Sequence, residues 1–152
     1  MAIDLGHMRS EPLPPGFEVR QIKDMESLRI CSDITAEVFE VPRDMWGTWW
    51  NLIRDFGIDS TRRWFLGLLN GKPVSTSLLV LHEDAAGVYM VATLKEARRK
   101  GAGFAMTREP LLLARDVGHR VAVIEASEMG FPVYERLGFR ELCEFRTFVR
   151  LP

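Results

Sequence analysis

The sequence predicts an α/β (α+β) sandwich: a mixed, mostly antiparallel central sheet with helices on both faces. Three observations carry this. Two apolar runs flank Asn70-Gly71, the strongest short hairpin signal, so antiparallel strands come first. A glycine-rich basic stretch, Arg98-Arg99-Lys100-Gly101-Ala102-Gly103, then joins a strand to a helix. The wholly apolar run Val121-Ala122-Val123-Ile124 follows that helix and reads as a strand covered on both faces, parallel to the one before the glycine loop.

Taken in order, Glu11 to Gly16 carries Pro12, Pro14 and Pro15 and reads as an extended lead-in. Gly6-His7-Met8 resembles a cloning remnant, so residues 1–16 are expected to form a flexible lead-in, and residues 17–152 a single domain. Phe17-Glu18-Val19-Arg20 alternates as a half-buried strand does. Asp24 is a fitting N-cap for a helix from Met25 to Phe39, with Met25, Leu28, Cys31, Ile34 and Val38 as its buried stripe. Pro42 opens a second helix carrying Met45, Trp46, Trp49, Ile53 and Phe56, closed by Gly57.

Trp64 to Leu69 and Val74 to His82 form the hairpin, and Val88 begins a third strand. Gly103 to Val117 is predicted helical with a kink at Pro110. After the apolar strand, Gly130 to Leu137 is a short helix stopped by Gly138. Phe139 to Val149 alternates again and is expected to be the final strand or strand pair.

At 152 residues and 47% hydrophobic content, the chain has material for one domain with a sizeable core. A net charge of −1 gives no general attraction to nucleic acid or anionic membrane. Cys31 and Cys143 form no Cys-x-x-Cys pair and read as reduced structural thiols of a cytoplasmic protein. The three histidines stand apart, without metal-ligand spacing, so no metal is expected. No apolar run approaches membrane-spanning length, and no signal peptide is evident.

The glycine loop is physically an anion cradle. Glycines at alternate positions let the backbone turn tightly and approach a ligand. The following helix presents unpaired N–H groups and the positive end of its dipole, suited to a pyrophosphate. A dinucleotide fingerprint would need a small residue where Met106 stands, and a Walker loop would need Gly-Lys-Ser/Thr, so neither nucleotide motif is complete.

Strand, Arg-x-x-Gly-x-Gly, helix, strand and then Tyr134-Glu135-Arg136-Leu137-Gly138-Phe139 together resemble the GNAT superfamily of acyl-CoA-dependent N-acetyltransferases, over about residues 17–150. The resemblance implies transfer of the acetyl group of acetyl-CoA, as co-substrate, to a primary amine of an unidentified acceptor by direct attack in a ternary complex. It implies that Val91, Ala92 and Thr93 hold the pantetheine arm and the carbonyl through their backbone. It gives the pyrophosphate to Arg99, Lys100, Gly101, Ala102, Gly103 and Phe104, with Arg98 at the motif's first position.

The same resemblance places Tyr134 where many relatives keep a tyrosine that protonates the departing thiolate. A phenol titrates near a thiol, so the chemistry is reasonable. The plain alternative is a core tyrosine beside Phe131 and Leu137. Glu125, ahead of Glu128, is the candidate base, at the end of the Val121 strand; Glu83 and Asp84 lie in a turn at the far end of the hairpin. Lys95 departs from a common proline, and Ser127 from a common asparagine that contacts the coenzyme. Trp50 lies off the helical stripe and suggests an acceptor with an apolar or aromatic part.

A non-catalytic acyl-CoA-binding sensor and a nucleotide-binding module are the competing readings. The alternating final strand could pair across an edge in a homodimer.

Overall fold

The computed structural model describes residues 1–146 and 148. Its six-stranded sheet runs in the order β1-β6-β5-β4-β3-β2. The strands are β1 (Ala2–Asp4), β2 (Phe17–Gln21), β3 (Arg62–Leu69), β4 (Lys72–Leu81), β5 (Ala86–Thr93) and β6 (Val121–Val123). All neighbouring pairs are antiparallel except β5 and β6, which run parallel. Helices α1 (Met25–Val38) and α2 (Trp46–Phe56) cover one face, and α3 (Ala102–Asp116) and α4 (Phe131–Leu137) belong to the other.

Local chemistry accounts for most boundaries. The Asp24 carboxylate accepts from the Ser27 backbone N–H at 2.8 Å and starts α1. A 3-10 turn, Arg43–Met45, leads into α2, and Gly57 at φ 74° ends it. Asn70 and Gly71 both adopt positive φ, 51° and 79°, as a two-residue hairpin requires. Gly138 at φ 110° closes α4. Helix α3 runs unbroken through the buried Pro110.

Two apolar clusters sandwich the sheet. One gathers Phe65, Leu79, Val88, Met106, Leu111 and Leu137 under α3 and α4. The other gathers Leu28, Cys31, Ile53, Trp64 and Leu78 under α1 and α2. The predicted stripe of α1 holds except at Met25, which is 47% exposed in the helix's first turn. On α2 only Ile53 is fully buried; Phe56 faces solvent, as does Met45 in the turn that precedes the helix.

The main departures from the sequence reading lie at the β6 edge. The first residues are not a lead-in outside the sheet. Ala2–Asp4 pairs antiparallel with β6, and Ile3 and Leu5 enter the core beside Phe139 and Leu137. The Leu5 N–H donates to the Arg120 carbonyl at 2.8 Å, and the Arg9 N–H to Leu137 at 3.0 Å. Alternation of Ile3 and Leu5 with Ala2 and Asp4 was the signal, outweighed by the tag-like Gly6-His7-Met8.

The apolar run at Val121 is covered on one face only. Ala122 is buried, but Val121 and Val123 are 41% and 38% exposed, because neither α1 nor α2 extends over β6. The final strand does not form among the described residues: Phe139 to Arg146 makes a single bridge, Arg140 with Ala2. The remainder of that expectation, at 147 and 149, lies outside the described residues. Since β1 pairs with β6, the expected final strand finds that edge taken.

Candidate active site

The loop after β5 turns through a 3-10 segment, Lys95–Ala97, and then through two left-handed residues, Arg99 at φ 62° and Gly101 at φ 83°. Glycine is required at the second. Besides its φ, a Cβ there would lie 2.9 Å from the Pro14 ring. Gly101 immediately precedes α3, and no side chain caps that end. The first intrahelical bond runs from the Ala105 N–H to the Gly101 carbonyl, which leaves the N–H groups of Ala102, Gly103 and Phe104 without intrahelical partners. They form an open, electropositive end.

Arg98 serves the loop itself: its Nε donates to the Thr93 carbonyl at 3.0 Å, tying the basic turn to the end of β5. Arg99 and Lys100 are exposed beside the open helix end. Phe104 is buried, with the Arg136 guanidinium 4.7 Å from its ring centroid, so only its backbone faces the turn. Lys95 is exposed and leaves the turn intact.

Strands β5 and β6 separate beyond their first two residue pairs. Ala86 pairs with Ala122 and Gly87 with Val123, and no pairing follows. From Val88 to Thr93, β5 therefore has an edge without β6. On its other edge, a bulge sets Met90 and Val91 against the single residue Ser77, and Met90 takes φ 51°. A bulge turns ladder groups away from their partner strand. Val91 lines the gap, while Ala92 returns to the ladder opposite Thr76 and buries its side chain.

A cleft of about 360 Å³ occupies this gap. Its walls are Val88 to Val91 from β5, Ile124 to Ser127 after β6, Tyr134 from α4, and Phe39 at the end of α1. A larger recess of about 680 Å³ adjoins it at Glu125 and Ser127 and extends past Glu128 to Glu141, Cys143 and Glu144. Both predicted catalytic residues, Tyr134 and Glu125, line the smaller cleft, and so does Ser127. Glu128 lines only the recess.

Tyr134 is held from two sides. Its ring lies across Gly130, where a Cβ would come within 2.8 Å, and packs tilted on Phe139 at 6.1 Å between centroids. Burial pushes its phenol up from 10.0 to about 12. It therefore stays protonated across the working range, though it is a weaker acid than a free tyrosine. The core reading and the cleft reading of Tyr134 both describe it: a buried ring belonging to the core and lining the cleft.

Ser127 shapes the turn into α4. Its hydroxyl accepts from the Gly130 N–H at 3.2 Å, and its carbonyl from the Phe131 N–H at 2.9 Å. Glu125 is exposed at the cleft mouth. Trp50 does not line the cleft; it packs against the α1–α2 core, with the Arg29 guanidinium 5.1 Å from its ring centroid. The aromatic groups that do face the cleft from that side are Phe39 and Tyr89. Neither carries a sequence signal, because the bulge and the ring positions that bring them to the cleft depend on tertiary packing.

Among the described residues, no cluster of three or more His, Cys, Asp or Glu side chains could hold a metal ion. Nor is any helix there long and apolar enough to cross a membrane.

No family model matches the chain. Solved structures do. A GCN5-related N-acetyltransferase from Kribbella flavida superposes with a TM-score of 0.72 at 21% identity, over 91% of this chain and 52% of its own. The chain thus spans about half the length of that protein. One from Ralstonia eutropha JMP134 matches at TM-score 0.70 and 20% identity, over 88% of this chain and 99% of its own. A predicted acetyltransferase from Clostridium acetobutylicum, solved with acetyl-CoA, matches at 0.71 and 15%, over 88% and 96%.

Proposed function

We propose that this chain, which has the fold of the GCN5-related N-acetyltransferases, transfers the acetyl group of acetyl-CoA to a primary amine. The observation that carries the reading is the alignment of three features along one path. The uncapped α3 N-terminus, the unpaired edge of β5 and the cleft at Tyr134 follow one another as the pyrophosphate, arm and thioester of a coenzyme would. The Clostridium acetobutylicum structure with acetyl-CoA shares this fold and adds support.

The free N–H groups of Ala102, Gly103 and Phe104, with Arg99 and Lys100 alongside, suit a pyrophosphate. Arg98 acts on the loop's shape through Thr93. The amide-bearing pantetheine arm fits the open edge of β5 as an extra strand would, bonding the backbone of Val91 and its neighbours. Held there, the thioester carbonyl reaches the bulge, whose released backbone groups can polarise it. Remote binding of the long coenzyme orients the reacting carbon.

An amine entering from the Glu125 side attacks that carbon directly. The C–N bond forms, the C–S bond breaks, and the sulfur leaves with the electron pair. Glu125, directly or through water, takes the proton that the amine must lose. The Tyr134 hydroxyl faces the departing sulfur as a neutral donor. Full transfer from a phenol near 12 to a thiolate of about 8.5 is uphill, so its contribution is a hydrogen bond that strengthens as charge develops on sulfur.

Titration calorimetry with acetyl-CoA, with ATP and NAD as controls, tests the binding site. Saturable binding of acetyl-CoA alone is expected, and its failure in folded protein would overturn the reading. In an amine-acceptor screen followed by thiol release, Tyr134→Phe should lower kcat by roughly 10²-fold while leaving acetyl-CoA affinity unchanged. A binding-competent chain with no turnover on any amine would instead point to an acyl-CoA sensor.

A further inference from the structure

We infer that the acceptor is a primary amine on a short arm from an aromatic ring, with the ring lying flat on Tyr89 and the ammonium at Glu125; the inference rests on the acetyltransferase reading above. Strand alternation sets the sides of the cleft. Ala122, Ile124 and Val88 point into the core under α3, so Val123, Glu125 and Tyr89 belong to the opposite face. Helix α1 covers β3, β4 and β5 on that face and stops short of β6. The amine side of the gap is therefore open, while Tyr134 stands on the α4 side.

The Tyr89 ring does not stand up from the sheet. A Cβ on Gly87 would lie 2.5 Å from the ring and 2.8 Å from its hydroxyl, so the side chain folds back along β5 over a glycine that leaves it room. The result is a flat aromatic shelf, 44% exposed. Val123, the ladder partner of Gly87, continues it, 38% exposed. Phe39 rises as a wall, 45% exposed and fixed edge-on to Trp49 at 6.3 Å.

An aromatic ring stacks or packs edge-on against such surfaces with more gain than an alkyl chain of equal area. Glu125 is the one carboxylate in this cleft and matches one ammonium. A ring on the shelf with its arm towards Glu125 brings the nitrogen to the β5–β6 gap. There the ammonium gives one proton to Glu125 or water, the nitrogen bonds to the carbonyl carbon, and the thiolate leaves and is protonated. The net reaction releases one proton. The adjoining recess, with Glu128, Glu141 and Glu144, makes a polyamine the informative competitor.

The test follows thiol release by the full chain with acetyl-CoA and three probes: 2-phenylethylamine, hexylamine and spermidine. The aromatic amine should exceed both others in kcat/KM by about tenfold. Tyr89→Ala should raise KM for 2-phenylethylamine to a similar extent, Tyr89→Phe should retain it, and the KM for acetyl-CoA should stay fixed in both. Gly87→Ala, which lifts the ring, should reproduce the loss in protein shown to be folded by circular dichroism. Preference for spermidine, equal use of hexylamine, an unmoved preference in Tyr89→Ala, or no turnover by a chain that binds acetyl-CoA would each overturn the inference. Absence of acetyl-CoA binding would overturn the acetyltransferase reading with it.

Discussion

Gly101 shows how much of the site depends on single backbone conformations. Its φ of 83° and its contact with Pro14 both exclude a side chain. Gly101→Ala is expected to weaken acetyl-CoA binding by about tenfold or more, because straightening the turn moves the free N–H groups of α3 off a common point. Calorimetry on the variant checks this, and unchanged affinity would remove the loop from the coenzyme site. Gly130 plays a related part under the Tyr134 ring, and Gly87 under Tyr89. Of these, the sequence exposes only the role of Gly101, since its motif spacing is local. The other two glycines matter through ring positions that depend on side-chain packing.

Among the elements, β1 and β5 contribute most to the site's geometry. Strand β1 holds β6 from its outer edge, and Leu5 just beyond it is completely buried. Leu5→Ala should therefore cost about 2–5 kcal/mol in a denaturant titration, the range for emptying a leucine site in a core. A loss within about 0.5 kcal/mol, the surface range, would mean that the first residues contribute nothing to stability. On β5, the bulge at Met90–Val91 combined with loss of pairing to β6 opens the cleft. Apolar runs located both strands of that pair, and the helix between them gave their parallel direction. Neither could show where they part, because an apolar residue looks the same in a paired strand and a splayed one. The same ambiguity made the Val121 run look doubly covered, when α1 leaves one face of β6 bare.

At the scale of the whole molecule, two buried groups set how stability responds to alkali. Burial raises the Cys31 thiol from 9.0 to about 12, and the Tyr134 phenol from 10.0 to about 12. Between those limits the unfolded chain releases protons that the folded chain retains. Stability is thus fully present below about pH 9 and falls as pH rises towards 12. Urea midpoints measured from pH 8 to 11 should show this decline, and a Cys31→Ala variant should begin its decline about one pH unit later, where the phenol takes over. Identical profiles for the two proteins would show that the thiol titrates freely.

The sequence by itself determined the order of elements from β2 to α4, the mixed sheet, the parallel pair and the glycine turn at the head of α3. Each follows from local rules: periodicity, turn chemistry and capping act over a few neighbouring residues. It also brought the ends of the two parallel strands, at residues 91–93 and 126–128, to one edge with the Gly101 loop, since parallel strands end on the same side. Only the tertiary structure decided that residues 1–8 complete the β6 edge, that Arg98 serves the loop through Thr93, and that Trp50 stays out of the cleft. It alone placed Phe39 and Tyr89 opposite Tyr134. Those outcomes depend on contacts between segments far apart in the chain, where the apolar surface each segment can bury is set by what else has already packed there.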